Sequence, residues 1–255
     1  VWSVVSGGTK RGNNYLDNLD IKFDLDNEKL LGLKGNKAFI SFINNNGGKP
    51  NANRVGSTQG IDNIETSTKT AKLYEALIEQ SFFADKLSVL VGLHDLNTEF
   101  DVNEMTANFI KPVFQVEQSF AQSGRNGPSV FPTTSVAGRI KFQPNEAGYI
   151  SAAVFDGVPG NPSNPHGTHI DFEGNDGLLL VAEGGFSASG DKPDGIPYML
   201  ALGAWRYTKK FDDLVELDGN GNPIQQHVEG AYFLSSCQFY RSKESGRTLG
   251  IFLNA

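Results

Sequence analysis

The densest group of chemically capable side chains follows a run of sheet-forming residues. In LSVLVGLHDLNTEFD, Leu87 to Asp101, an apolar strand breaks into a polar turn that carries Asp95, Asn97, Glu99 and Asp101. Carboxylates at such spacing hold calcium, act as an acid–base pair on a glycosidic bond, or hydrogen-bond a folded loop. Glycoside hydrolysis needs a second carboxylate across the scissile bond, and no second motif at a recognisable spacing accompanies this turn. Structural hydrogen bonding of an infolded loop is therefore the expected role, and no enzyme activity is expected.

The other candidates are weaker. Asp218-Gly219-Asn220-Gly221-Asn222, followed by Glu229, nearly matches a calcium loop. Pro223 stands where such a loop needs glycine for its sharp turn, so a hairpin loop is the better reading. His94, His166, His169 and His227 are scattered and read as surface positions. His166 and His169 share a Pro-rich loop that lacks the further ligands zinc requires. No phosphate-cradling Gly-rich loop or serine nucleophile elbow occurs. Neither a metal nor a cofactor is expected.

Charged residues also fall on alternating positions of strand-like runs. Lys22, Asp24, Glu75, Glu79, Arg139, Lys141 and Glu183 each lie opposite an apolar face. They line either a polar lumen or the solvated side of a soluble sheet. Trp205 and Tyr207 are in phase on one run, and Tyr198 is out of phase with them. These aromatics suit an interfacial belt, or a platform for the apolar face of a sugar ring.

The elements that must position these residues are almost all strands. Period-two patterns mark Tyr15–Leu25, Ala38–Ile43, Ala71–Phe83, the run from Leu87, Val136–Phe142, Tyr149–Phe155, Gly177–Phe186, Tyr198–Thr208, Val228–Tyr240 and Leu249–Leu253, about ten in all. In the alternation after Leu73, Tyr74 groups with Ala76 and Ile78, and Glu75 with Leu77 and Glu79. Residues 1–14 show no period, and residues 49–70 read as a long polar loop. A short helix is expected near Glu104–Phe109. Residues 102–135 are too long for a routine hairpin connection, and loops of that length are usually functional.

The totals bound the class. The chain has 255 residues, 29 glycines, 18 phenylalanines and a single cysteine, Cys237, so no intrachain disulfide forms. A net charge of −7 argues against a nucleic-acid partner. No apolar run is long enough for a membrane helix. Mean hydropathy is −0.31, which does not exclude a membrane, because barrel strands alternate. The strand lengths suit a tilted bilayer crossing, and short turns such as 84–86 and 143–148 mix with long loops such as 102–135 and 156–176. The pattern leaves a membrane barrel and a soluble β-sandwich both open. Nothing divides residues 1–255 into domains, and both ends look cut, so the chain reads as a single incomplete domain.

Several runs taken together resemble the carbohydrate-selective porins of the OprB type. They are YLDNLDIKFDLDNEKLLGLKG, FISFINNNGG, LIEQSFFADKLSVLVGLHDLNTEFD, FAQSGRNGPSVFP, AAVFDGVPGNPSNPHGT and LGAWRYTKKFDDL, from about residue 15 to residue 253. The resemblance implies an all-β fold, a transmembrane antiparallel β-barrel of about 16 strands. About ten strands, or roughly the N-terminal 60%, would then lie in this chain. It implies a location in the Gram-negative outer membrane, outer-membrane lipid as surroundings, and passive diffusion of glucose and other small sugars. The oligomeric state, monomer or trimer, stays open. Motif matches carried over are Asp95, Asn97, Glu99, Phe100 and Asp101 of the acidic turn, and Ser123, Gly124, Asn126, Gly127 and Pro128 of the loop. Arg139, Asp156 and Gly157 match beyond it. Arg125 and Arg206 stand where an apolar or aromatic residue is expected. Residues 102–135 are the candidate constriction. Glu79, Asp95, Asn97, Glu99, Arg125, Arg139, Glu183 and Trp205 are the expected lumen contacts of the sugar path. The rival readings are a soluble lectin-like binding module and a general porin without sugar preference.

Overall fold

The computed structural model describes residues 2–111, 114–172, 174–188, 196–242 and 245–255. Strands β1 (Trp2–Val4) and β2 (Gly12–Asn14) pair as a small separate hairpin, which sequence periodicity had not marked. The main sheet holds ten strands in an unbroken antiparallel meander. They are β3 (Leu16–Asp26), β4 (Asn36–Gly47), β5 (Thr70–Phe82), β6 (Leu87–His94), β7 (Ser135–Phe142), β8 (Gly148–Asp156), β9 (Leu178–Ala188), β10 (Tyr198–Leu217), β11 (Pro223–Arg241) and β12 (Thr248–Asn254). A soluble sandwich would divide such strands between two facing sheets. Here each strand pairs with its sequence neighbours, and β3 and β12 form the free edges of one open wall.

Two-fold alternation decides which side chains face which way. One face carries Ile21, Phe23, Phe42, Ile78, Val91, Ile140, Val154, Leu180, Leu200 and Leu202, all exposed. So broad a band of exposed large apolar side chains is what lipid would cover. The band also steps along the register. On β9 it runs up to Leu178, beyond Leu180, whereas on β10 it stops at Ala204, one outward position short of Arg206, the partner of Leu180. A band that moves relative to the hydrogen-bond register is the mark of strands crossing a membrane obliquely, as in a barrel wall. Arg206 thus keeps its outward phase at the upper margin of the band, where it pairs with Glu229 at 3.1 Å.

Connections differ between the two ends of the sheet. At one end are residues 27–35, which include the short helix α1 (Asn27–Leu31), and the turns 83–86 and 143–147. At the other are residues 48–69, 95–134 and 157–177. The β10–β11 hairpin also projects there on strands of 20 and 19 residues. The tight link at 83–86 places Phe83, Ala84 and Asp85 at positive φ. At the hairpin tip Asp218 accepts from the backbone N–H groups of Asn220 and Asn222. Part of the connection between β9 and β10 lies outside the described residues.

One strand departs from simple alternation. On β5 the register shifts between Ser41, opposite Glu75, and Phe42, opposite Leu73, leaving Tyr74 as the extra residue of a bulge. Tyr74 and Glu75 are consequently both buried on the inner face. The expectation that Tyr74 shares the outward face with Ile78 is corrected by this bulge.

The alternation has a testable consequence. Val91→Arg places a charge on the outward face and should lower stability in a bilayer by about 2–4 kcal/mol. Lys141→Ala, on the inner face, should change it by less than about 1 kcal/mol. Denaturant titration of the full-length protein refolded into vesicles checks both.

Candidate functional site

The inner face is covered by its own longest connection. Residues 95–134 leave β6, cross the wall as far as β12, and return to β7. The two ends of this loop are zipped together. Leu96 N donates to Ser129 O at 2.7 Å, Ser129 Oγ donates to His94 O at 2.6 Å, and Ser135 N donates to Ser129 Oγ at 2.7 Å. Lys72 of β5 donates to Thr133 Oγ1 at 3.1 Å. The Thr134 hydroxyl donates to Tyr74 O. The covering loop therefore starts earlier than the irregular span read from the sequence, and the acidic turn is its first element.

That turn builds an ion-pair network. Arg139 projects inward from β7 with its side chain only 1% exposed. Its Nε donates to Glu99 Oε2 at 2.6 Å and its Nη2 to Glu99 Oε1 at 2.7 Å, a bidentate fork. Nη2 also reaches Glu79 Oε1 at 2.8 Å, and Nη1 reaches Ser88 Oγ at 2.5 Å. Burial opposes the ionised form of Glu99, but its hydrogen bonds with His94 and Arg139 prevail and hold its pKa at about 2. Asp95 caps the short turn at Leu96–Thr98 by accepting from Asn97 N at 2.8 Å, and it also accepts from the Tyr74 hydroxyl. Asn97 Nδ2 donates to Phe100 O at 3.2 Å and Asp101 O at 3.1 Å, which closes the turn.

His94 belongs to this network, against the surface role expected of it. It is buried, with Nδ1 3.2 Å from Glu75 Oε1 and Nε2 3.7 Å from Glu99 Oε2. Continuing the inward alternation of Ser88 and Leu90 through Gly92 would have placed it there. Glu75 also accepts from Asp95 N at 2.9 Å.

Further along, the loop is seated on aromatic rings. Helix α2 (Gln118–Ala121) lays Phe120 parallel to Trp205, with centroids 4.7 Å apart and planes 5° apart. Phe100, Phe120, Phe155, Trp205, Tyr207 and Tyr232 are buried together. The interfacial-belt reading of Trp205 and Tyr207 is thereby corrected: both point inward under the loop, while Tyr198 faces outward. Inward aromatics lie flat because glycine stands across from them. A Cβ at Gly230 would come within 2.7 Å of the Trp205 ring, and one at Gly185 within 2.8 Å of the Tyr149 ring. Rings flattened on the wall leave room for the loop above. At the apex, Asn103 Nδ2 donates to Ser235 O at 3.2 Å and Asn254 Oδ1 at 2.9 Å, and Phe109 and Phe114 pack on Phe252 of β12.

The Ser123-to-Pro128 motif has a structural explanation. Ser123 Oγ donates to Phe120 O at 2.7 Å, and Asn126 Nδ2 donates to Pro159 O at 2.6 Å in the next loop. Gly124 has φ +72°, and a Cβ there would lie 2.6 Å from the Tyr207 hydroxyl. Arg125 is half exposed and stands 3.9 Å from Asp176, away from the Arg139 network.

The expected lumen residues thus divide. Glu79 and Glu99 meet around the buried Arg139 guanidinium, and Asp95 and Asn97 shape the turn that carries Glu99. Glu183 lies under the same loop, where it accepts from Tyr149 OH at 2.6 Å and Tyr232 OH at 2.7 Å. The Trp205 face is occupied by Phe120. Beside the acidic turn a cavity of about 760 Å³ remains, bordered by Glu99, Glu104, Lys141, Tyr149, Ser187 and Gln238. The larger concavity, about 1010 Å³, lies largely among outward residues such as Val91, Ile140 and Leu180, and belongs to the lipid side.

An oblique antiparallel wall, apolar outside and polar inside with a loop folded onto its inner face, defines a porin-type β-barrel segment. The chain belongs to the carbohydrate-selective porin, OprB family, whose sequence model matches residues 10–255. That is a family of outer-membrane channel proteins. The high-pH structure of Pseudomonas putida OprB is similar, with a TM-score of 0.81 at 20% identity, covering 99% of this chain and 62% of that one. The low-pH structure of the same protein gives a TM-score of 0.55 at 17% identity, covering 94% and 58%. The chain therefore spans about three-fifths of the solved structures it resembles. No curated protein matches it.

Two substitutions test the seating of the loop. Arg139→Ala leaves Glu79 and Glu99 without their cation and should destabilise the protein by about 3–5 kcal/mol. Gly124→Ala combines a strained φ with the Tyr207 contact and should cost about 1–3 kcal/mol. Both should raise the rate of trypsin cleavage after Arg125 in folded, detergent-solubilised protein.

Proposed function

We propose that this chain supplies the wall and the constriction of a channel that passes small carbohydrates passively across the Gram-negative outer membrane. The observation that carries the reading is the β6–β7 loop lying across the inner face, fastened by the Arg139–Glu99–Glu79 network. Such a loop narrows the lumen and lines what is left with charged and polar groups. The cavity beside Glu99, Glu104, Lys141 and Gln238 offers both acceptors and donors. A sugar entering it exchanges hydration for charge-assisted hydrogen bonds, which are roughly twice as strong as neutral ones. Passage requires that this exchange be nearly balanced, so that sugar both enters and leaves. Lys141 stands 5.4 Å from the Tyr149 ring centroid, a polar edge beside an aromatic face. Asp95, Asn97 and Arg139 act here by fixing the loop. Glu79 and Glu99, 29% and 21% exposed at their side chains, are the network members open to solute.

Single-channel conductance of the full-length protein in planar bilayers, titrated with glucose and then maltose, tests this reading. Sugar should reduce the conductance in a saturable way. Glu79→Gln and Lys141→Met should each weaken the block by roughly tenfold or more, the loss of one charge-assisted hydrogen bond. Conductance indifferent to both sugars would make the protein a general porin instead.

A further inference from the structure

A second buried carboxyl on the loop has no part in the sugar path described above. Asp101 is 1% exposed and holds φ +55°, a region sparsely populated by residues other than glycine. Its Oδ2 accepts from Glu117 N at 2.5 Å, bridging the outgoing and returning limbs of the loop. Its own N–H donates to Glu183 Oε2 at 3.0 Å. Asp101 thus ties two points of the loop to β9.

The surroundings of this tie are acidic and phenolic. Glu183 faces Asp101 from β9, and Tyr232 from β11. Tyr149 of β8 reaches the same Glu183, and Glu117 approaches from the loop. Among the described residues, no Lys, Arg or His lies within ion-pair distance of Asp101 or Glu183. Arg139 on β7 is committed to Glu99 and Glu79, and His94 of β6 to Glu75. The other buried carboxyl on the loop, Asp95, differs: Tyr74 and Asn97 N donate to it, and His94 is its neighbour in sequence.

We propose that Asp101 is a proton-operated latch on the constriction loop, seating the loop when protonated and loosening its 101–117 crossing when ionised. The protonated acid keeps a carbonyl oxygen for Glu117 N and adds an O–H donor in a site otherwise rich in acceptors. The ionised form is a buried charge without a cation, beside a second carboxylate. Burial accordingly pushes the Asp101 pKa up to about 7; the hydrogen bond from Glu117 N opposes this, and the charges of Glu183 and Glu117 add to it. In a released loop the group returns to its ordinary value of 3.8. Because the seated form binds the proton more tightly, the stabilisation is fully present below about pH 4. It is lost by about tenfold in the seating equilibrium per pH unit until it levels off just above about pH 7.

The latch rests on the reading of this loop as the constriction, and one experiment keeps the two separable. Wild type, Asp101→Asn and Glu183→Gln are prepared as full-length protein. Conductance and maltose block are recorded in planar bilayers from about pH 5 to about pH 8.5. Trypsin cleavage after Arg125 is followed in detergent at each pH as a ratio to Asp101→Asn, which cancels the protease's own pH dependence. Wild-type conductance and cleavage ratio should rise with pH and level off above about pH 7. Asp101→Asn should stay flat in conductance, and Glu183→Gln should reach its plateau roughly one pH unit lower. A flat wild-type profile, or a pH dependence unchanged in Asp101→Asn, overturns the latch. Should Asp101→Asn fail to fold, cleavage is referred to a denatured control and the shift in Glu183→Gln decides alone. Absence of maltose block at every pH, with the cleavage profile intact, sinks the sugar reading and upholds the latch.

Discussion

A single buried guanidinium fixes the architecture of the inner face. Arg139 cannot lose its charge and cannot face lipid at modest cost. It must turn inward, and once there it must be fully paired. Glu79 from the wall and Glu99 from the loop supply the partners, and the bidentate fork to Glu99 sets the position of the acidic turn. With that turn fixed, residues 95–134 can only run across the wall, where the flattened aromatics of β8, β10 and β11 receive them. The network matters less for its net energy than for the cost of breaking it, since removing one partner strands the others.

In the proposed channel, covering the inner face and narrowing the passage are the same act. A ten-strand wall lined only by polar groups would be open water on one side. The loop brings its own apolar residues, Leu96, Phe100 and Phe120, to Trp205, Tyr207 and Phe155, and so builds a core inside the lumen. The remaining space is bordered by charged and polar groups such as Glu99, Glu104, Lys141 and Gln238 and by Tyr149. The two fastenings of the loop differ in kind. The Arg139 network pairs opposite charges, and its hydrogen bonds hold Glu99 at about 2. Among the described residues the Asp101 tie has acidic neighbours and no cation within ion-pair distance, which is the ground for the latch proposed there.

Period-two alternation settled much of this protein before any coordinates. The ten strands of the main sheet, the shared facing of Lys22, Glu79, Arg139, Lys141 and Glu183 opposite the apolar face, and the long loop after β6 were all legible. The reason is that a strand's facing depends only on its own sequence, so long as pairing is regular. The quoted motifs likewise identified the family. Tertiary structure alone decided the rest. The bulge at Tyr74 reversed the expected face of one residue, because a bulge is set by pairing with the neighbouring strand. His94 faces inward by its strand's own alternation, but its burial between Glu75 and Glu99 needs β5 and the folded-back turn to meet on it. Trp205 is a seat for the loop rather than an interfacial anchor, because only the returning chain brings Phe120 over its ring. Side-chain facing is a local property written residue by residue; which charges meet, and which rings are covered, depends on a loop crossing the whole wall.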